Sequence, residues 1–256
     1  DLVFWKAYNC DYSDGKNFLD REFFILNALA PSLGLTMDMD ELPFSVKPEK
    51  KVDIKDVTAL FRSTYEGTDM DMTANVRLSA ERISPVANPW LTTAMQRTLN
   101  NIAPGTIDFR RTVAVAWCAY SHVTQLRDWL PDQIGGVCWF SLDNPAQSPR
   151  IPIFCGSRIL PVEFYRCGQK TYSPYIALWK FRQANKLATI QWQSTKQGFM
   201  KNVLEMEETA FSGIADLEKN YSAESLDAYT QKIFDQAAKK WQQMEDSYWV
   251  RFGNGF

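Results

Sequence analysis

The chain has 256 residues, 45% of them hydrophobic and 14% aromatic, and a formal net charge of −2 with both signs interspersed. That is ample apolar material for a packed core, in one large domain or two small ones. It offers no basic field to hold nucleic acid by counterion release, no apolar run long enough to span a bilayer, and no basic start followed by an apolar core of the signal-peptide kind.

Residues 1–12 open in mid-phrase with Leu2, Val3, Phe4 and Trp5 already apolar, which reads as an internal piece of a longer polypeptide. Residues 19–29 have helical spacing, with Phe23, Phe24, Leu26 and Ala30 on one side, and Pro31 ends the run. Asp38, Asp40 and Glu41 cluster in the following loop. They lack the glycine and distal glutamate of a calcium-binding loop and read as a solvated turn. Residues 53–65 form the clearest short helix: Asp53 stands at the N-cap with Asp56 three residues on, and Ile54, Val57, Leu60 and Phe61 make an apolar stripe. Residues 68–105 read as a long irregular stretch, which makes Arg77, Arg82 and Asn88 candidates to face a ligand.

Three strand-like runs follow, at 112–125, 136–142 and 151–155, rich in Val, Ile, Thr and aromatic residues. Pro131, Asp132, Gly135 and Gly136 mark one turn, and Asp143, Asn144, Pro145, Ser148 and Pro149 mark the next. An antiparallel meander follows. In the first run neither face is strongly polar, which predicts a sheet covered on both sides. Beyond Pro174 the chain contains no proline, so the region of about 174–250 is free to be helical. Gly198 reads as a break between two helices there. The last helix begins near Ser222, with Leu226, Tyr229, Ile233, Ala237 and Trp241 as its stripe.

Chemistry is harder to find. The cysteines, Cys10, Cys118, Cys138, Cys155 and Cys167, form no CxxC pair and read as small buried hydrophobes. With one histidine and no Cys/His cluster, the chain lacks the usual zinc ligands, so neither a metal nor a cofactor is expected. His122 is the natural suspect for acid–base work. Ser121 beside it points to the opposite face of a strand, so the two side chains cannot serve one site as a dyad. No GxSxG, phosphate loop or dinucleotide fingerprint occurs.

The stretch AYSHVTQLRDWLPDQIGGVCWFSLDNPAQSPRIPIFCG closely resembles the strand region of the PepD-like bacterial dipeptidases, cysteine peptidases of the N-terminal-nucleophile hydrolase superfamily. DREFFILNALAPSL, LPFSVKPEKKVDIKDVTALFRSTYEGTDMDMT and SPYIALWKFRQANKLATIQW resemble the same family in the same order. The resemblance spans nearly the whole chain and implies a single α+β domain over 1–256, built as a four-layer αββα sandwich with a long helical end. It implies dipeptide hydrolysis by the thiol of a processed N-terminal cysteine whose own α-amine acts as base, with no metal or organic cofactor.

This chain begins with Asp1, which has neither thiol nor hydroxyl, and Cys10 is internal. The resemblance therefore implies a nucleophile on an upstream segment, a chain inactive by itself, and no catalytic residue within it. Ser121, His122, Arg127, Asp143 and Asn144, which match the family's SHVTQLRD and LDNP motifs, are expected to line or brace the substrate pocket. The expected partners are a small peptide and the missing N-terminal segment, with homo-oligomerisation left open. Two alternatives stand beside this reading: a non-catalytic peptide-binding or assembly module on the same scaffold, and an amide hydrolase of non-peptide substrates.

Overall fold

A computed structural model describes residues 15–39 and 41–253, so the opening at 1–12, Cys10 and Asp40 lie outside the described residues. Helix α1, Gly15–Leu29, stops where Pro31 opens a 3-10 turn, Pro31–Leu33, which is closed by Gly34 at a left-handed φ of 58°. The loop after it is tied back by Glu49, whose N–H donates to the Leu29 carbonyl at 3.0 Å and whose carboxylate accepts from the Ser32 N–H at 2.7 Å. Helix α2, Ile54–Phe61, has the expected cap: Asp53 accepts from the N–H groups of Lys55 and Asp56, and Asp56 accepts from the Asp53 N–H. It ends four residues earlier than its periodicity suggested. Tyr65 turns left-handed at φ 65°, and its buried hydroxyl donates to the Arg111 carbonyl at 3.0 Å.

The stretch at 68–105 is less irregular than expected. It holds a short antiparallel ribbon, β1 (Arg77–Ser79) with β2 (Arg82–Ile83), and helix α3, Thr93–Ile102. Thr92 caps α3 by accepting from the Met95 N–H at 3.3 Å. The ribbon and α3 share a small core of their own: Val76, Ala87 and Ile107 with Ile83, Leu91 and Leu99.

The main sheet has three antiparallel strands in the order β3-β4-β5, being Tyr120–Leu126, Gly136–Leu142 and Ile151–Phe154. A single helical turn, α4 (Asp132–Gly135), joins the first two. The meander is as predicted, yet the first strand is shorter than the run at 112–125 suggested. Residues 112–119 spend their backbone groups elsewhere: Ala114 N–H donates to Ser63, its carbonyl accepts from Trp90 Nε1 at 3.1 Å, and Cys118 N–H turns back to Val115.

The two faces of the sheet differ. Val137, Trp139 and Ser141 are buried, with Val123 and Gln125 half-buried beside them. On the other face Tyr120, His122, Thr124 and Leu126 are exposed, beside half-buried Cys138, Phe140 and Leu142. Among the described residues coverage on both sides therefore fails along β3, which has a paired strand on one side only.

The helical end comprises α5 (Ala177–Ala188), a 3-10 turn (Thr189–Gln191), α6 (Trp192–Ser212), α7 (Ile214–Lys219) and α8 (Ala223–Gly253). The expected break at Gly198 is not there. Gly198 lies inside α6, and the breaks fall at Thr189–Gln191 and Gly213. A mid-helix glycine costs about 1 kcal/mol, which burial of its neighbours Phe199 and Val203 offsets. At the start of α8, Ser222 and Ser225 exchange bonds, each hydroxyl accepting from the other's N–H at 3.2 and 2.8 Å.

The stripe Leu226, Tyr229, Ile233, Ala237 and Trp241 is buried throughout and forms the spine of the core. Phe181 of α5 and Phe199 of α6 meet Trp241 edge-on at 5.5 and 5.9 Å, and Trp139 of the sheet meets Phe211 of α6 at 4.5 Å. Trp139, Phe181, Phe199 and Trp241 are fully buried, and each contributes on the order of 2–3 kcal/mol. The architecture is thus α+β with small antiparallel sheets and a long helical C-terminal region. Among the described residues the second sheet is only the β1-β2 ribbon, and four stacked layers are not seen.

Candidate functional site

Of the five residues expected at a pocket, His122 alone has an exposed side chain, on the open face of β3 beside Tyr120, the rings 6.3 Å apart. Ser121 points to the opposite face, as the two-residue period of a strand requires, and its buried Oγ has no hydrogen-bond partner. Arg127 is a clamp on the connection between β3 and β4. Its Nη2 donates to the Ile134 carbonyl at 2.5 Å and its Nε to Gly135 at 3.3 Å, while Nη1 pairs with Glu218 of α7.

Asp143 and Asn144 lie in a buried polar network that fixes the turn at 143–150. Asp143, at a left-handed φ of 64°, accepts from Arg182 Nε at 2.6 Å and from Asn185 Nδ2 at 2.9 Å. Asn185 also donates to Ser148 Oγ and accepts from Trp241 Nε1, both at 2.9 Å. Asn144 accepts from the Ala146 N–H and donates to Gln147, whose amide donates to the Asn185 carbonyl. Sheet, α5 and α8 are thereby locked together. Arg182 and Asn185 escaped the sequence reading, though their spacing of three on a helix places them on one face.

The network backs onto a cleft of about 700 Å³ between the segment at 89–117 and α5. Four cations, Arg110, Arg111, Arg182 and Lys186, line it and no acid does. Burial works against the Arg110 charge, but the carboxylates of Asp20 and Asp108, at 3.0 and 2.8 Å, outweigh it and hold its pKa above the ordinary value. Lys186 Nζ donates to the Ala116 carbonyl at 3.4 Å. A smaller cavity of about 220 Å³ between Tyr120, Phe140 and Phe164 adjoins it, the two sharing Gln169. Arg110 and Arg182 are thus paired with carboxylates behind the wall, and exposed Lys186 stands at the edge of a partly apolar cleft of small-molecule size.

Of the earlier candidates, Asn88 bridges Val86, Thr189 and Trp90, and Arg77 donates to the Ala74 and Ala80 carbonyls, so both are held by backbone. Arg82 is an exposed residue of β2. The cysteines are less buried than expected: Cys118 and Cys138 are half-buried, Cys155 and Cys167 exposed, and all four are free thiols. Burial pushes the Cys118 and Cys138 thiols up, away from the thiolate. Among the described residues no three His, Cys, Asp or Glu groups converge on a metal-sized point, and no helix is long and apolar enough to cross a membrane.

Residues 3–205 match the model of peptidase family C69, and the chain belongs to this family of peptidases. The resemblance carried by the strand and helix motifs is thereby borne out. A protein of Latilactobacillus sakei named "Probable dipeptidase" is 24% identical over 152 residues, which is 59% of this chain and 27% of that protein. The aligned part is thus about a quarter of the relative's length.

Proposed function

We propose that this chain supplies the substrate-holding part of a dipeptidase whose nucleophile is an N-terminal cysteine on a segment outside these residues. The family match over residues 3–205 carries the reading. The short share of the curated relative covered here supports a longer whole. The exposed edge of the sheet along β3 supports the same view, since a second sheet meeting Tyr120 and His122 would extend the structure towards an αββα stack. In that assembly His122 lines the site, Ser121 faces the core side of β3, Arg127 holds the β3–β4 connection, and Asp143 braces Arg182 at the cleft wall while Asn144 fixes the same turn through Gln147. The peptide's carboxylate sits against Lys186 and Arg182, where opposite charge in a partly dry cleft strengthens attraction.

The test is hydrolysis of unblocked dipeptides by the full-length polypeptide, with and without a thiol alkylator. Alkylation abolishes activity if a cysteine is the nucleophile; activity that survives it rules the thiol mechanism out. Lys186→Met raises KM for a free dipeptide about tenfold, a loss of about 1.4 kcal/mol, and leaves KM for the corresponding dipeptide amide unchanged.

A further inference from the structure

A second cavity, of about 640 Å³, lies among α1, α2 and α6 and shares no lining residue with the cationic cleft. Its wall is mostly apolar, with Leu29, Leu60, Trp192, Met200 and Leu204 among the residues that face it. Charged groups on the wall are largely paired: Lys50 with Asp56 at 3.7 Å, and Lys196 with Glu66 at 3.2 Å. Arg62 is the exception. Its carboxylate partner, Glu207, is shared with a second guanidinium, Arg62 Nη2 lying 2.5 Å from Oε2 and Arg150 Nη1 3.3 Å from Oε1.

Two cations and one anion leave a net positive charge where almost no water reaches, the side chains of Arg62, Arg150 and Glu207 being 9%, 0% and 4% exposed. Nε of both arginines and Nη2 of Arg150 lack an acceptor among the described residues. Unmet buried donors on a charged group and an uncompensated buried charge are both unfavourable. Burial lowers the pKa of Arg150 to about 10, with Glu207 opposing the shift and Arg62 adding to it. The excess is of one unit, and Arg62 is the member that lines the cavity.

We propose that this cavity binds a small monocarboxylate with an apolar body, its carboxylate against Arg62 and its apolar part between Leu60, Trp192 and Met200. The site is separate from the proposed dipeptide cleft and does not depend on that reading. A monoanion matches the single excess charge. A dianion would reverse it, and a neutral molecule would leave it unmet.

The test is calorimetric titration of the 256-residue chain with 4-phenylbutyrate and with its uncharged isostere 4-phenylbutanamide. The acid binds at one site and the amide about tenfold more weakly, and Arg62→Gln weakens the acid about tenfold while leaving the amide unaffected. Ala59→Trp, at an exposed point on the cavity wall, removes binding of the acid while the buried charges stay in place. It decides the matter if Arg62→Gln does not fold. No binding of the acid, equal binding of acid and amide, an Arg62→Gln affinity within about twofold of the wild type, or full affinity in folded Ala59→Trp each overturns the proposal, leaving the arginines as a brace between α2, α6 and β5.

Discussion

The last helix and the first strand of the main sheet are both rich in apolar side chains, and they end in opposite surroundings. Along α8 every member of the stripe from Leu226 to Trp241 is buried against α5, α6 or β5. Along β3, Tyr120 and Leu126 are 55% and 76% exposed, with Trp117 before it and Trp129 after it also in solvent. Apolar content therefore does not decide burial here. The helix presents one stripe and finds its partners within the chain, whereas β3 carries Tyr120 and Leu126 on a face that is open among the described residues.

The sharpest way to test the contrast is to cut into the met side. Trp241→Ala removes a fully buried ring and leaves Asn185 without its indole donor, and the expected loss is about 3–5 kcal/mol in urea denaturation. A loss below about 1 kcal/mol would mean that α8 is not the spine of the core.

A subtler break uses pH. The Tyr229 hydroxyl donates to the carbonyls of Thr209 and Ala210, and burial pushes its pKa from 10.0 up to about 12. A folded pKa above the unfolded one favours the protonated native state. That stability is whole below pH 10 and drains away as pH rises towards 12. Wild type should therefore lose stability faster than Tyr229→Phe across that interval, by up to about 1 kcal/mol per unit. Taking the difference between the two proteins cancels the titrations of Tyr248 and Arg150; parallel curves would place Tyr229 in water. The smallest effect is expected on the unmet side, where Leu126→Lys should change stability by less than about 0.5 kcal/mol. A larger loss, or a change of oligomeric state in size-exclusion chromatography, would show that the face is covered by another copy in solution.

Where local chemistry was self-sufficient, the structure could be read from the residues. The reciprocal cap of Asp53 and Asp56 is complete within four positions, β4 occupies the predicted residues, and the α8 stripe has no competing period. Helix α3 was missed because its apolar positions do not make a core stripe: Met95 and Ile102 are 49% and 78% exposed. The length of the first strand was misjudged because residues 112–119 have strand composition but, among the described residues, no strand partner. Site residues were the least legible. Nothing near Arg127 in the sequence distinguishes a guanidinium aimed at a ligand from one that holds its own loop, and its carboxylate partner lies 91 positions away. Nor did the motif around Asp143 announce Arg182 and Asn185, which meet it only through the fold.

The turn at 143–150 has a consequence for anyone who would move it. Its backbone enters a left-handed conformation at a residue that is not glycine, and the side chain there is anchored to two groups on α5. Transplanted into another scaffold as a hairpin alone, it would carry the unfavourable dihedral without the contacts that compensate it. The portable unit is hairpin and helix together, and evolution of either is tethered to the other.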